Sequence, residues 1–173
     1  MNVRDHANSY YAATALPFAP LPALQGEIKA DVAVIGGGYT GLSAALNLAE
    51  RGYQVALIEQ ARIGWGASGR NGGQINTGLR KGPQELIAKY GRDHAKALFS
   101  LAEEARDIIR DRVERHRIRC DFKSGSLYVA HRPADAAWMP EEVEALKREF
   151  GYGKARYIPP SELKDHIGSD AFF

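Results

Sequence analysis

A single cysteine, Cys120, occurs in the 173 residues. An internal disulfide is therefore excluded, and so is a metal set built on cysteine spacing. The histidines His6, His94, His116, His131 and His166 are scattered and form no short-range ligand pair. An excess of one charge is also lacking: 23 basic side chains face 21 acidic ones, for a net charge of +2. That leaves no large field to hold nucleic acid or an acidic membrane. The stretch from Arg106 to Arg119 is arginine-rich, but Asp107, Asp111 and Glu114 interrupt it, so it reads as a solvated helix face laced with ion pairs. No apolar run approaches membrane-spanning length. The start, Met1 to His6, lacks the apolar core of a secretion signal. These absences fit a reducing, cytoplasmic setting.

What the chain does have is glycine in one informative place. Gly36-Gly37-Gly38-Tyr39-Thr40-Gly41 follows Asp31-Val32-Ala33-Val34-Ile35, an apolar run that reads as a buried parallel strand. It opens Leu42 to Arg51, which reads as a helix ended by Gly52. Tyr53 to Ile58 reads as a second strand, with Glu59 at its carboxyl end. The order strand, glycine turn, helix, strand, acid is that of a dinucleotide-binding unit. Gly36 lets the chain turn sharply out of the strand. Gly38 leaves bare backbone, so that a pyrophosphate can approach the unpaired N–H groups and positive dipole end of the helix. Gly41 and Ala45 are small on the face that packs against the strands. Glu59 can accept hydrogen bonds from both hydroxyls of an adenosine ribose, and it would repel a 2′-phosphate, which argues against NADP.

This unit alone does not separate FAD from NAD. A glycine-rich loop follows it, Ile63-Gly64-Trp65-Gly66-Ala67-Ser68-Gly69-Arg70-Asn71-Gly72-Gly73-Gln74-Ile75. Small residues let such a backbone pass close to a flat ring system. Arg70 and Asn71 can place donors against phosphate or flavin oxygens. A mobile surface loop accounts for the same residues equally well.

Asp31 to Glu59, taken with Gly66-Ala67-Ser68-Gly69-Arg70-Asn71-Gly72-Gly73, resembles the D-amino-acid-oxidase-like FAD-dependent amine oxidoreductases. Ser9-Tyr10-Tyr11 and Gly64-Trp65-Gly66 are similar, more narrowly, to the gamma-glutamylputrescine oxidase branch. The resemblance implies FAD, an amine substrate, and oxygen or another electron acceptor. It implies hydride removal from the carbon beside the amine, followed by hydrolysis of the imine. The implied fold is α/β: a Rossmann-like FAD-binding domain with a parallel sheet, plus the beginning of an α+β substrate domain. The cofactor contacts expected on this reading are Gly36, Gly38, Tyr39, Thr40, Gly41, Glu59, Gln60, Ser68, Arg70, Asn71, Gly72 and Gly73. Arg70, Asn71 and Gly72 would lie along the isoalloxazine side. Members of the family are well over twice this length, so the chain is expected to be the amino-terminal part of an oxidase. No residue matches a catalytic position of the family, so no catalytic base is named. An NAD-linked dehydrogenase domain and a non-catalytic FAD- or ADP-binding fragment are the alternatives.

The rest of the chain divides by composition. Residues 1–28 read as an extended lead-in, because Pro17, Pro20 and Pro22 rule out a long helix. Ser9-Tyr10-Tyr11, Leu16, Phe18 and Leu21 are candidates to pin it to the domain surface. Residues 29–118 read as the FAD-binding region with long helices, and 119–173 as an incomplete substrate or cap domain. Helix is predicted from Pro83 to about Arg117, broken at Gly91 into two helices, with Asp93 capping the second. Its apolar stripe is Leu86, Ile87, Tyr90, Ala97, Leu98, Leu101, Ala105, Ile108, Ile109 and Val113. Ser126 to His131 and Tyr157-Ile158 read as strands, Asp135 to Phe150 as a helix, and Ser161 as the cap of a last helical turn. His94 and His131 read as surface or packing residues, and Cys120 as a small packed side chain rather than a flavin attachment point.

Overall fold

The computed structural model describes residues 5–173, so Met1 to Arg4 of the expected lead-in lie outside the described residues. The chain forms two compact units, the first ending at Gln74 and the second running from Ile75 to Phe173.

In the first unit, α1 (Tyr10–Thr14) is followed by β1 (Val32–Ile35), α2 (Tyr39–Glu50) and β2 (Val55–Ile58). The strands pair in parallel, with Val32 opposite Val55 and Ile35 opposite Ile58. Asp31 extends the pairing: its N–H donates to the Gln54 carbonyl at 2.9 Å and its carboxylate accepts the Gln54 N–H at 2.8 Å. α2 is the crossover helix that parallel pairing demands, and it packs on both strands. Leu and Ala make up half of it, and it closes where the Gly52 N–H bonds back to the Ala49 carbonyl at 2.9 Å.

Burial in β1 alternates. Val32 and Val34 are half-buried, whereas Ala33 and Ile35 are exposed, Ile35 at 88%. The strand predicted as buried is thus covered on one face only, because a single helix packs on a sheet of two strands. The lead-in also differs from expectation. Leu16, Phe18 and Leu21 stay exposed, and polar contacts to Arg62 and Trp65 hold the segment instead. Within it, Ser9 caps α1 by accepting the Ala12 N–H.

The second unit is helical: α3 (Pro83–Tyr90), α4 (Arg92–Arg115), α5 (Pro133–Ala136), α6 (Met139–Phe150) and α7 (Pro160–Ile167). Its core is Leu86, Ala95, Phe99 and Phe150, with Ile87, Leu146 and Tyr152 packed against it. The Phe99 ring lies 4.8 Å from that of Phe150 and 5.4 Å from that of Tyr152. The break at Gly91 occurs as predicted, but Gly91 itself occupies the cap position and Asp93 sits in the first turn. The buried stripe is shifted from the predicted one. Ala95 and Phe99 are buried, whereas Ala97, Leu101, Ala105, Ile108 and Ile109 are exposed. α4 has 24 residues against 8 in α3 and 12 in α6, so its partners are too short to cover it.

Further expectations are corrected. Neither Ser126 to His131 nor Tyr157-Ile158 forms a strand. A strand needs a ladder partner, and among the described residues Ala130 makes a single such link, accepting the Phe173 N–H at 3.0 Å. The helix predicted from Asp135 is interrupted between α5 and α6, and Pro159, not Ser161, caps α7. Cys120 is exposed rather than packed, on the loop that leaves α4.

Candidate functional site

Backbone conformation and close contacts each demand glycine in the turn between β1 and α2. Gly36 adopts φ +102°, a conformation that L side chains rarely reach. Its N–H donates to the Ile58 carbonyl at 2.8 Å, joining the turn to the end of β2. A Cβ on Gly41 would lie 1.9 Å from the Gly36 carbonyl oxygen and 3.4 Å from Val34 Cγ1. Only glycine therefore lets the first turn of α2 sit this close to the strand. Gly37 is buried, and a Cβ there would meet Ile63 Cδ1 at 2.5 Å.

Glu59 spans this turn. Its Oε2 accepts the Gly37 N–H at 2.7 Å and its Oε1 accepts the Ala61 N–H at 2.9 Å. Those two bonds, the Gly37 one first, hold its carboxyl below the usual range, so it is ionised at neutral pH. A carboxylate has about four acceptor sites, so two bonded N–H groups leave others for hydroxyl donors.

At the amino end of α2, Gly38 occupies the cap position and supplies no side chain. Ser68 comes from the 3₁₀ turn Ala67–Gly69, and its Oγ accepts the Tyr39 N–H at 3.0 Å. As acceptor of that bond, the hydroxyl keeps its own proton available for an anion. The N–H groups of Thr40 and Gly41 belong to the first turn, where no preceding helical carbonyl exists to receive them. The end of α2 thus presents N–H groups, a hydroxyl and the positive dipole end to one place.

Asn71 organises the loop beside it. Its Nδ2 donates to the carbonyls of Ala67 at 3.0 Å and Ser68 at 2.9 Å, and lies 3.1 Å from the Tyr39 hydroxyl. Its Oδ1 accepts the Gly73 N–H at 2.9 Å. Arg70 turns to Trp65: Nε donates to the Trp65 carbonyl at 3.0 Å and the guanidinium lies 4.7 Å from the ring centroid.

The structure therefore brings Gly36, Gly38, Tyr39, Thr40, Gly41, Glu59, Ser68 and Asn71 around one helix end. Arg70 is held on Trp65, and Gln60, Gly72 and Gly73 are exposed. Sequence reasoning missed Gly37 as the partner of Glu59, and Ile63 as the residue that closes on it. The signal for Gly37 was present, as the central member of the triplet. The bond between Ser68 and Tyr39 spans 29 positions and had no local signal. In the second unit His131 packs 5.1 Å from the Phe172 ring, and His94 is exposed. Among the described residues, no helix is long and apolar enough to cross a membrane.

The arrangement offers three chemical features side by side. The turn residues carry no side chains of their own, the helix end is rich in donors, and the acid beside them is ionised. Residues 31–172 match the FAD dependent oxidoreductase (DAO) family. The chain is 40% identical over 168 residues to the gamma-glutamylputrescine oxidoreductase of Escherichia coli, covering 97% of this chain and 39% of that protein. It is 39% identical over 169 residues to a probable oxidoreductase, OrdL, of Haemophilus influenzae, covering 98% of this chain and 39% of that one. A probable oxidoreductase OrdL of Rhizobium meliloti is 42% identical over 165 residues, or 95% of this chain and 38% of that one. No solved structure matches the chain significantly. The chain spans about 39% of the length of the first of these curated relatives. The chain belongs to the DAO family of FAD dependent oxidoreductases, and FAD, not NAD, is the cofactor of that family.

Proposed function

We propose that this chain carries the FAD-binding portion of an amine oxidoreductase of the gamma-glutamylputrescine oxidoreductase type. The observation that carries the reading is the amino end of α2. There Gly38 withholds a side chain, Ser68 offers a hydroxyl, and Gly41 allows contact with the β1 turn. Gly38, Thr40, Gly41 and Ser68 would hold the pyrophosphate. Glu59 would hold the ribose while keeping the glycine turn closed through Gly37. Loop residues 70–73 would border the flavin, with Gln60 flanking the adenosine side. When bound, FAD supplies a two-electron acceptor for oxidation of a carbon beside an amine. The protein's part is to bind, to orient and to exclude water. Substrate is a small amine, and electrons pass on to oxygen or another acceptor. A reducing cytoplasm suits a chain whose one thiol is exposed.

A second reading is favoured by a specific observation. The chain spans 39% of the first relative, and no catalytic base is identified within it. On that reading the 173 residues bind FAD without turnover. The visible spectrum of the purified chain titrated with FAD tests binding, and an amine-dependent peroxide assay separates the two readings. Flavin binding with peroxide supports the oxidase. Flavin binding without peroxide supports the binding fragment. A folded chain that binds no flavin rejects both.

A further inference from the structure

We propose that the lead-in segment from Asp5 to Phe18 is a strap that positions the cofactor loop, with Asp5 and Phe18 acting through Arg62 and Trp65. This rests on the reading of the α2 amino end as the FAD site. The segment lies outside residues 31–172, which carry the family match. Arg62 is three-quarters buried, and its guanidinium joins two distant points of the segment. Nε and Nη2 donate to Asp5 Oδ1 at 3.3 and 3.0 Å, and Nη1 donates to the Phe18 carbonyl at 3.2 Å. The Trp65 indole N–H donates to the Asp5 carbonyl at 2.8 Å. The same short loop is fastened to the cofactor end on its other side. The Gly64 N–H donates to the Gly37 carbonyl at 2.9 Å, Ser68 accepts from Tyr39, and Trp65 holds Arg70 through its carbonyl and ring.

Residues 62–70 are thus a bracket with the strap on one side and the glycine turn on the other. The Asp5 carboxylate is 81% exposed, so its ion pair with Arg62 contributes little alone. Main-chain carbonyls of Asp5 and Phe18 add contacts that salt does not screen away. Pro17, Pro20 and Pro22 lower the entropy lost on fastening the segment. Arg62 and Trp65 are positioning residues: they touch the strap and the loop, and the loop touches the helix end.

Amide hydrogen exchange on the full, cofactor-free chain tests this with Arg62→Ala and Trp65→Phe. The latter removes the indole N–H but leaves a ring beneath Arg70. The expected result is exchange about three- to tenfold faster at Tyr39 and Gly64, from loss of one or two hydrogen bonds, with amides of β1 and β2 unchanged. FAD affinity, read by flavin fluorescence, should fall over the same range. Faster exchange in α1 with Tyr39 and Gly64 unmoved overturns the proposal. If Arg62→Ala unfolds the unit, faster exchange spreads to β1 and β2, and Trp65→Phe decides. If exchange at Tyr39 and Gly64 responds while the unmodified chain takes up no FAD, the strap stands and the cofactor reading fails.

Discussion

Replacement of Gly41 by alanine adds one methyl group where the first turn of α2 meets the end of β1. The added Cβ would lie 1.9 Å from the Gly36 carbonyl oxygen and 3.1 Å from its carbon. Ordinary contact begins near 3.4 Å, so helix end and turn must part by about 1.5 Å. Both partners are backbone, and neither can rotate away. Overpacking of this kind costs about 1–3 kcal/mol, and an unyielding contact belongs at the upper end. Against it stands the helix preference of alanine over glycine, about 1 kcal/mol. The balance is a net loss of about 2 kcal/mol. Urea unfolding measures it, with Gly153→Ala as control, since a Cβ there meets nothing within 4 Å. A displaced helix end also misaligns the N–H groups of Thr40 and Gly41, so FAD affinity should fall at least about tenfold, the worth of one good hydrogen bond. A Gly41→Ala chain as stable as the parent, with FAD affinity intact, refutes the close-approach argument.

Glu59→Gln should destabilise the first unit by about 1 kcal/mol near neutral pH, because an amide oxygen replaces a carboxylate that accepts two N–H bonds. The folded state lowers the Glu59 pKa, so its contribution is present above the ordinary carboxyl range and lost as pH falls through the lowered value. The gap between the two proteins in thermal unfolding should therefore close in acid; a gap independent of pH contradicts it. Glu142 runs the other way: burial raises its carboxyl, which favours the protonated form in the fold. Glu142→Gln should raise Tm at neutral pH, with the advantage fading as pH falls through the raised value and gone below the ordinary carboxyl range, and a lower Tm at neutral pH would sink that account. Phe99 is 4% exposed and touches both Phe150 and Tyr152. Phe99→Ala should cost about 3–5 kcal/mol in urea unfolding, and a loss under about 1 kcal/mol would remove it from the core.

The nucleotide unit was legible because its signals are local. Apolar runs, a glycine triplet, a helix-ending glycine and an acid occur in order, and each acts through its neighbours in sequence. Gly41 was readable as a packing glycine for the same reason. The sequence was silent where contacts are distant. Nothing near Ser68 points to Tyr39, and nothing near Asp5 points to Arg62 and Trp65. Alternation misled at Ser126 to His131, because period alone does not supply a partner for the ladder. In α4 the apolar positions outnumber those its short partners cover, so periodicity could not tell which were buried. Arg70 reads as a donor for phosphate or flavin, yet the guanidinium sits on Trp65 five residues earlier in the chain.

An amide-resolved NMR titration of the chain with FAD tests the central claim most directly. The account predicts saturable binding with the largest shifts at Gly38, Thr40, Gly41 and Ser68, and a smaller set at Glu59 and Gln60. Saturable binding that leaves the α2 amino end unmoved, or a folded chain that takes up no FAD, contradicts it.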